Sequence, residues 1–526
     1  MNRALAQMLP DLMVGIVALV FAVLCAAFVR QPGLGTFADD SVSYLVLAQA
    51  MSPWQPASQA VAEAVSREAF YPPLYPLLLA LSGAAHDIAL AHVLAAFLVA
   101  ACLPLAYALG RRWLESGWAA ALATLAMALL PALWINARGI LSEPLYGLLL
   151  LATLLALESE RRKSWLLALL MAAMVLTRTA GLVIVAFYAA WALSRPGRLI
   201  PVKLHAAMPA LVALLAYAAW MLIRPVGAPD DYLRLVAERS QSLAGLDSLA
   251  ASLMRQANAV AQAWIGSLLL FWVEGRPLRV ALAGAAGVLC LAGVILRLRA
   301  GKPDGWIMAG YLATFLAWPF YDQMGRFLFP ALPVFILYAF YAAGAGLRAL
   351  GRPPMLAHGL LALLIVSVAA PALAFIHQRA RAEGRVAQII DWYRTPDLEA
   401  ARARAQVQLE LFSDMEAIRS LTPAGARIAW VVPSYLALLA ERRGIAAPPE
   451  QLAPAQYRRA LRESGAQYLF LSAFHPRDTI HDGAWKAGIA ATQGRGEVLR
   501  ERSGAGGAPG SLLLKIDLVA LPEARP

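Results

Sequence analysis

The chain has 526 residues, of which 60% are hydrophobic and 15% charged, with a formal net charge of +12. A soluble domain carries roughly 25% charged residues, so this composition excludes an ordinary soluble protein and implies a polytopic membrane protein. The positive excess does not point to nucleic acid, because no basic, aromatic-interleaved soluble module appears; basic cytoplasmic loops facing anionic lipid account for it.

The first apolar segment, Leu12 to Val29, has the length of a signal peptide. Cys25-Ala26-Ala27-Phe28-Val29 is a poor cleavage site, however, and more apolar segments follow, so it reads as a retained helix. About 20 apolar residues cross a bilayer. On that rule eleven spans are expected, at 12–29, 88–110, 117–137, 140–157, 164–177, 179–194, 204–223, 280–296, 305–321, 327–346 and 355–376. Basic residues recur in alternate loops, at Arg111-Arg112, Arg161 to Lys163, Arg195 to Lys203, Arg297 to Lys302 and Arg348 to Arg352. The positive-inside rule makes these loops, and the amino terminus with Arg3, cytoplasmic. Asp39-Asp40 and everything after the eleventh span then lie outside.

Two apolar stretches break this parity if they cross. Tyr71 to Ala85 opens Tyr-Pro-Pro-Leu-Tyr-Pro, which suits a helix start, and reads as a half-helix dipping in from the outer face. The stretch 257–273, with Trp264 and Trp272, reads as a helix lying on the membrane surface. Long outer connections run over 30–70, with helical patterns at 41–51 and 57–69, and over 224–279. Beyond His377 the composition turns soluble. The expected division is a membrane domain, 1–377, that includes the first outer loop and half-helix at 30–87, and a small outer α/β domain, 378–526. That domain has strands at 427–432 and 467–471, helices at 434–442 and 455–464, and a hairpin joining 497–500 to 512–519. No internal repeat is evident, which argues against transporters built on repeats. Cys25, Cys102 and Cys290 lie in apolar segments without paired spacing and read as packing residues.

Several clusters can carry chemistry. Asp39 and Asp40 follow the first span. One acid can cap the helix near Ser41, but not both, and a partly desolvated acid beside a second one suits a general base. Glu143 follows Arg138 at the mouth of the fourth span, either as an interfacial anchor or with Arg138 holding a phosphate that Glu143 orients. Arg178 and Arg326 run against the charge rule at the outer face, as headgroup anchors or as ligands of a lipid phosphate. His475, Asp478, His481 and Asp482 have only a loose metal-like spacing, and no metal is assigned. The run from Gly504 to Gly510 is phosphate-loop-like in composition, but no Lys-Ser/Thr follows, so it reads as a hairpin loop.

As an ordered set, these motifs resemble the integral-membrane glycosyltransferases of the GT-C fold, above all the branch of protein O-mannosyltransferases and lipid A aminoarabinose transferases. The shared features are Asp39-Asp40 with Tyr44, Pro72-Pro73-Leu74, Arg138 with Ser142-Glu143-Pro144, Arg178, and Gly325 to Pro330 with Pro333. They cover most of residues 1–376. The resemblance implies transfer of a monosaccharide from a polyprenyl-phosphate carrier to a lipid, glycan or protein acceptor at the outer face of a bacterial inner membrane, with inversion. It gives Asp39 the role of base, with Asp40 assisting or substituting; beside it Arg138, Arg178 and Arg326 are the candidates for binding the donor phosphate, with Tyr44, Tyr71 and Glu143 in support. Tyr71 stands where the family often has histidine. No nucleotide or redox cofactor is implied, and a divalent metal is not indicated. The rival readings are a transporter or lipid flippase, whose sites lie near the midplane, and a non-catalytic scaffold.

Overall fold

The computed structural model describes residues 3–30, 33–35, 38–159, 163–195, 199–225, 246–270, 277–317, 323–382, 398–474, 483–492, 496–504 and 509–516. The first part is helical: α1 (Arg3–Val29), α2 (Ala38–Ala50), α3 (Gln59–Glu68), α4 (Leu74–Leu81), α5 (Ile88–Leu114), α6 (Gly117–Ala128), α7 (Pro131–Asn136), α8 (Glu143–Leu157), α9 (Ser164–Thr177), α10 (Gly181–Ser194) and α11 (Ile200–Ile223). There follow α12 (Leu246–Leu269), α13 (Pro277–Arg299), α14 (Pro303–Ala317), α15 (Met324–Leu328), α16 (Leu332–Ala349) and α17 (Pro354–Ala382). In the bundle α1 packs on α5 and α6, α5 on α8, α9 on α11, α10 on α14 and α13 on α16, around one large apolar core.

Among the described residues, six stretches are long and apolar enough to cross a membrane: Met8–Val29, Ile88–Leu114, Ile200–Ile223, Pro277–Arg299, Met324–Ala349 and Pro354–Gln378. The eleven expected spans all fall on helices of the bundle, six of them on these long stretches. The other five fall on α6, α8, α9, α10 and α14, of 12 to 15 residues. At 1.5 Å per residue these are about 18–22 Å long, against a hydrocarbon layer of about 30 Å. The breaks have local causes. Pro131 starts a new helix inside the expected third span, Pro144 stands in the first turn of α8, and the extended backbone of Arg178 separates α9 from α10.

The other apolar stretches are also redrawn. The expected half-helix at 71–85 is the eight-residue α4 followed by a 3-10 turn at Ala84–His86, packed against α2 and α9. The stretch at 257–273 belongs to the longer α12, whose Trp264, Leu268 and Leu269 enter the main core and whose Trp264 indole donates to the Ala283 carbonyl at 2.8 Å. Trp272 lies outside the described residues.

Where α13 meets α14, a buried polar cluster ties the helix ends together. Arg297 donates twice to Asp304, both at 2.8 Å, and also to Glu158, with its guanidinium 4.5 Å over the Trp113 ring. Tyr338 donates to Asp304 at 2.9 Å and stacks on Trp113. Such groups stay buried because each finds a partner.

The second part of the chain holds α18 (Leu398–Leu421), β1 (Arg427–Trp430), α19 (Pro433–Leu439), β2 (Arg443–Ala446), α20 (Pro454–Ser464), β3 (Tyr468–Ser472), α21 (Gly483–Thr492), β4 (Glu497–Ser503) and β5 (Pro509–Lys515). The sheet order is β2-β1-β3-β5-β4, with β1 parallel to both neighbours and the last two strands antiparallel. Strand β2 and helix α21 were not expected from sequence: Arg443-Gly444-Ile445-Ala446 is too short and polar to show alternation. Helix α17 also runs past the expected boundary at 377/378. Residues 517–526 and the histidine–aspartate set at 475–482 lie outside the described residues.

This α/β unit does not hang free. Its Trp430, Tyr435, Leu436 and Phe470 share one apolar core with Val42, Tyr44 and Leu45 of α2, Val61 and Ala64 of α3, and Tyr75 and Leu79 of α4. Helices α2 to α4 and the carboxyl-terminal α/β unit therefore sit at the same end of the bundle.

Candidate active site

Asp39 and Asp40 are not in a loop. Both fall in the first turn of α2, which begins at Ala38, three residues earlier than expected. The segment before α2 is pinned from below. His92, fully buried in α5, holds the Gly33 carbonyl at 2.7 Å through Nε2, and Gly35 adopts φ +73° with its Cα against the Arg138 carbonyl. A Cβ at Gly35 would meet that oxygen at 2.2 Å, so only glycine lets the chain turn there.

The two acids have different surroundings. The Asp40 carboxylate accepts from the Tyr71 hydroxyl at 2.5 Å through one oxygen and pairs with Arg326 at 2.5 Å through the other. Arg326 also donates to Glu143, and Arg178 pairs with the same Glu143 oxygen at 2.7 Å. Ser142 accepts from Arg178 at 3.0 Å and shares a hydrogen bond with the Tyr44 hydroxyl at 2.7 Å. Two carboxylates and two guanidinium groups thus form one connected, charge-balanced cluster. Gly147 makes it possible: one turn past Glu143, it lets Pro330 approach so closely that a Cβ would stand 3.2 Å from the proline backbone, which carries Arg326, four residues earlier, onto Glu143.

Asp39 stands outside this cluster. It is exposed, and its Oδ1 accepts from the Tyr435 hydroxyl of the carboxyl-terminal domain at 2.8 Å. Burial, followed by the charge of Asp39, pushes the Tyr435 hydroxyl well above the phenol range, and burial does the same at Tyr71, so both hydroxyls remain protonated donors.

The structure thus brings together Asp40, Tyr44, Tyr71, Glu143, Arg178 and Arg326, with Asp39 beside them. The Arg138 guanidinium lies 5.4 Å over the Phe28 ring, and among the described residues the ion-pair partners of Glu143 are Arg178 and Arg326. In sequence Ser142 and Phe327 stand out only as parts of motifs, and Tyr311 and Tyr435 not at all. Phe327 lies under the Arg178 guanidinium at 5.7 Å, and its carbonyl accepts from Tyr311 at 2.8 Å. Their partners are far away in sequence, so no local signal marks them. Among the described residues no group of three His, Cys, Asp or Glu side chains forms a metal-ligand cluster.

The segment holding α2 to α4 carries one more buried acid. Glu68, at the end of α3, accepts from the Ser434 hydroxyl, and burial raises its carboxyl above the ordinary range despite that bond. Because the folded protein holds this proton more tightly than the unfolded chain, the group favours folding at low pH, and that contribution is lost as pH rises through the folded value. Glu68→Gln, neutral throughout, keeps it. The melting temperature of the variant relative to wild type is therefore expected to rise from pH 4 to pH 8. A constant difference would show that Glu68 keeps an ordinary carboxyl value.

No protein-family model matches the chain, and no curated protein matches it in sequence. Solved structures do. ArnT from Cupriavidus metallidurans, bound to undecaprenyl phosphate, superposes with a TM-score of 0.53 over 96% of this chain and 99% of that one, at 12% identity. The chain has the GT-C fold. The oligosaccharyltransferase of Archaeoglobus fulgidus, tethered to an acceptor peptide, matches with a TM-score of 0.50 over 98% of this chain and 75% of that one, at 13% identity. Both likenesses cover nearly all of this chain, so they extend into its carboxyl-terminal α/β unit.

Proposed function

We propose that this chain transfers a monosaccharide from a polyprenyl-phosphate carrier to an acceptor at the outer face of a bacterial inner membrane. Asp39 is the general base and the arginine cluster receives the departing phosphate. The observation that carries this reading is the division of labour between the acids. Asp40 is committed to Arg326 and Tyr71, whereas Asp39 keeps one oxygen without a partner among the described residues. The solved relatives lend support, since one holds undecaprenyl phosphate and the other an acceptor peptide.

In this reading an acceptor hydroxyl attacks the anomeric carbon from the side opposite the phosphate. Its proton passes to Asp39, and the bond between the anomeric carbon and the phosphate oxygen breaks, so the leaving oxygen keeps the electron pair. The sugar inverts, and polyprenyl phosphate departs. Arg178 bonds Glu143 and Ser142 through a single nitrogen, and its side chain is 15% exposed, so in this reading its other two nitrogens take phosphate oxygens. Arg326, held by two carboxylates, adds positive potential where charge develops. The acceptor is a lipid, glycan or protein.

The test uses purified protein in detergent, a panel of undecaprenyl-phosphate sugars tritiated in the sugar, and envelope fraction as acceptor. Label is expected to leave the lipid for the acceptor, releasing undecaprenyl phosphate in equal amount. Proteoliposomes that instead move the labelled lipid between leaflets without breaking it would make the protein a flippase.

A further inference from the structure

The carboxyl-terminal domain touches the proposed base, and the way it does so is specific. In the sheet, β1 is flanked by β2 on one side and β3 on the other, all parallel, so the strand order switches sides about β1. That switch point is where open α/β sheets leave a crevice for ligands. Here Pro433 opens α19 within the first turn, which is favourable because its fixed φ suits that position. Ser434 and Tyr435 follow at once, and their hydroxyls point to Glu68 of α3 and Asp39 of α2. The Tyr435 ring is 1% exposed and held edge-on by Trp430 at 5.8 Å and Phe474 at 5.4 Å, so its hydroxyl is fixed in place.

We infer that Tyr435 is a positioning residue for the transfer reaction, and that the carboxyl-terminal domain is a working part of the active site rather than an appendage. The inference rests on the reading of Asp39 as base. An aspartate in the first turn of a helix has competing partners, because the first amides of that helix are unpaired and attract a carboxylate. By donating to Oδ1, Tyr435 draws the carboxylate off its own helix and leaves Oδ2 as the acceptor for the incoming hydroxyl proton. Tyr435 touches neither substrate in this scheme; it acts through Asp39.

Two measurements on the full-length protein test this. Tyr435→Phe keeps the ring and removes only the hydroxyl. With the undecaprenyl-phosphate sugar that turns over fastest, kcat is expected to fall at least about tenfold while KM stays within about twofold, since a hydrogen bond to a charged carboxylate is worth that factor or more. Ser434→Ala, which loosens the same interface at the next residue, keeps wild-type kcat. Equal losses in both variants would mean a purely structural contact and overturn the inference. The second measurement needs no donor. Coupling of glycine ethyl ester to Asp39 by a water-soluble carbodiimide, followed by peptide mass spectrometry, is expected to speed up in Tyr435→Phe and not in Ser434→Ala. Unchanged labelling in Tyr435→Phe overturns the inference even if that variant proves too unstable to assay. If Asp39→Asn is inactive while Tyr435→Phe turns over at the wild-type rate, positioning fails and the base assignment stands. If Asp39→Asn is fully active, the base assignment fails, and with it the role of Tyr435 in transfer.

Discussion

Asp39→Asn is expected to cost transfer about a hundredfold to ten-thousandfold, the range typical of a lost general base, while the protein melts as wild type does. The amide oxygen of asparagine still accepts from Tyr435, and the side chain is exposed, so folding loses almost nothing. What disappears is the proton acceptor. Asp40→Asn separates the two acids. It breaks the pair with Arg326, so it lowers stability and weakens donor binding as well as slowing turnover. Transfer at the wild-type rate by Asp39→Asn, measured with the tritiated donor panel, would sink the base assignment; if Asp40→Asn were then inactive with its fold intact, the role would pass to Asp40.

The second large effect belongs to Arg326. Its side chain is 6% exposed and bridges Asp40 to Glu143, which is 1% exposed. Arg326→Ala leaves two carboxylates sharing the single cation of Arg178 in a buried setting. Removing one partner of such a pair costs about 3–5 kcal/mol, so the variant should unfold at much lower temperature in detergent and transfer no sugar. Arg326→Lys should rescue little. The arginine uses Nε toward Glu143 and a terminal nitrogen toward Asp40, and one ammonium group does not reproduce that fork. An Arg326→Ala protein with wild-type melting temperature and rate would refute both the structural and the electrostatic role.

The membrane architecture was readable because apolar runs of twenty residues have one stable outcome in lipid; α1, α5, α11, α13 and α17 sit close to where composition placed them. The short helices were harder. Apolar content does not reveal that Pro131 and the corner at Arg178 split the spans, because each residue also occurs inside continuous ones. The acids at 39 and 40, Glu143, Arg178 and Arg326 stood out as charges that the outer face and the bilayer disfavour. Which arginine meets which carboxylate was not legible. The pairing depends on how closely α8 approaches the turn at Phe329–Ala331, and that is set by the absent side chain of Gly147. Tyr435 was invisible for a different reason: nearly 400 residues separate it from Asp39, and nothing local distinguishes a tyrosine that fills a core from one that also directs a carboxylate.

The apolar core shared by α2, α3 and the strand β1 has a consequence for how the molecule is made. The ribosome delivers α2 and α3 well before the α/β unit that covers them, with the helical bundle emerging between. Until Trp430, Tyr435 and Leu436 arrive, Val42, Leu45 and Val61 have no partner on that side and the amino-terminal acids have no fixed geometry. A nascent or prematurely terminated chain can therefore insert all its membrane helices and still be inert. The shared core closes only after β1 and α19 have been made, so a product truncated before them carries an unsatisfied surface that quality-control proteases can recognise.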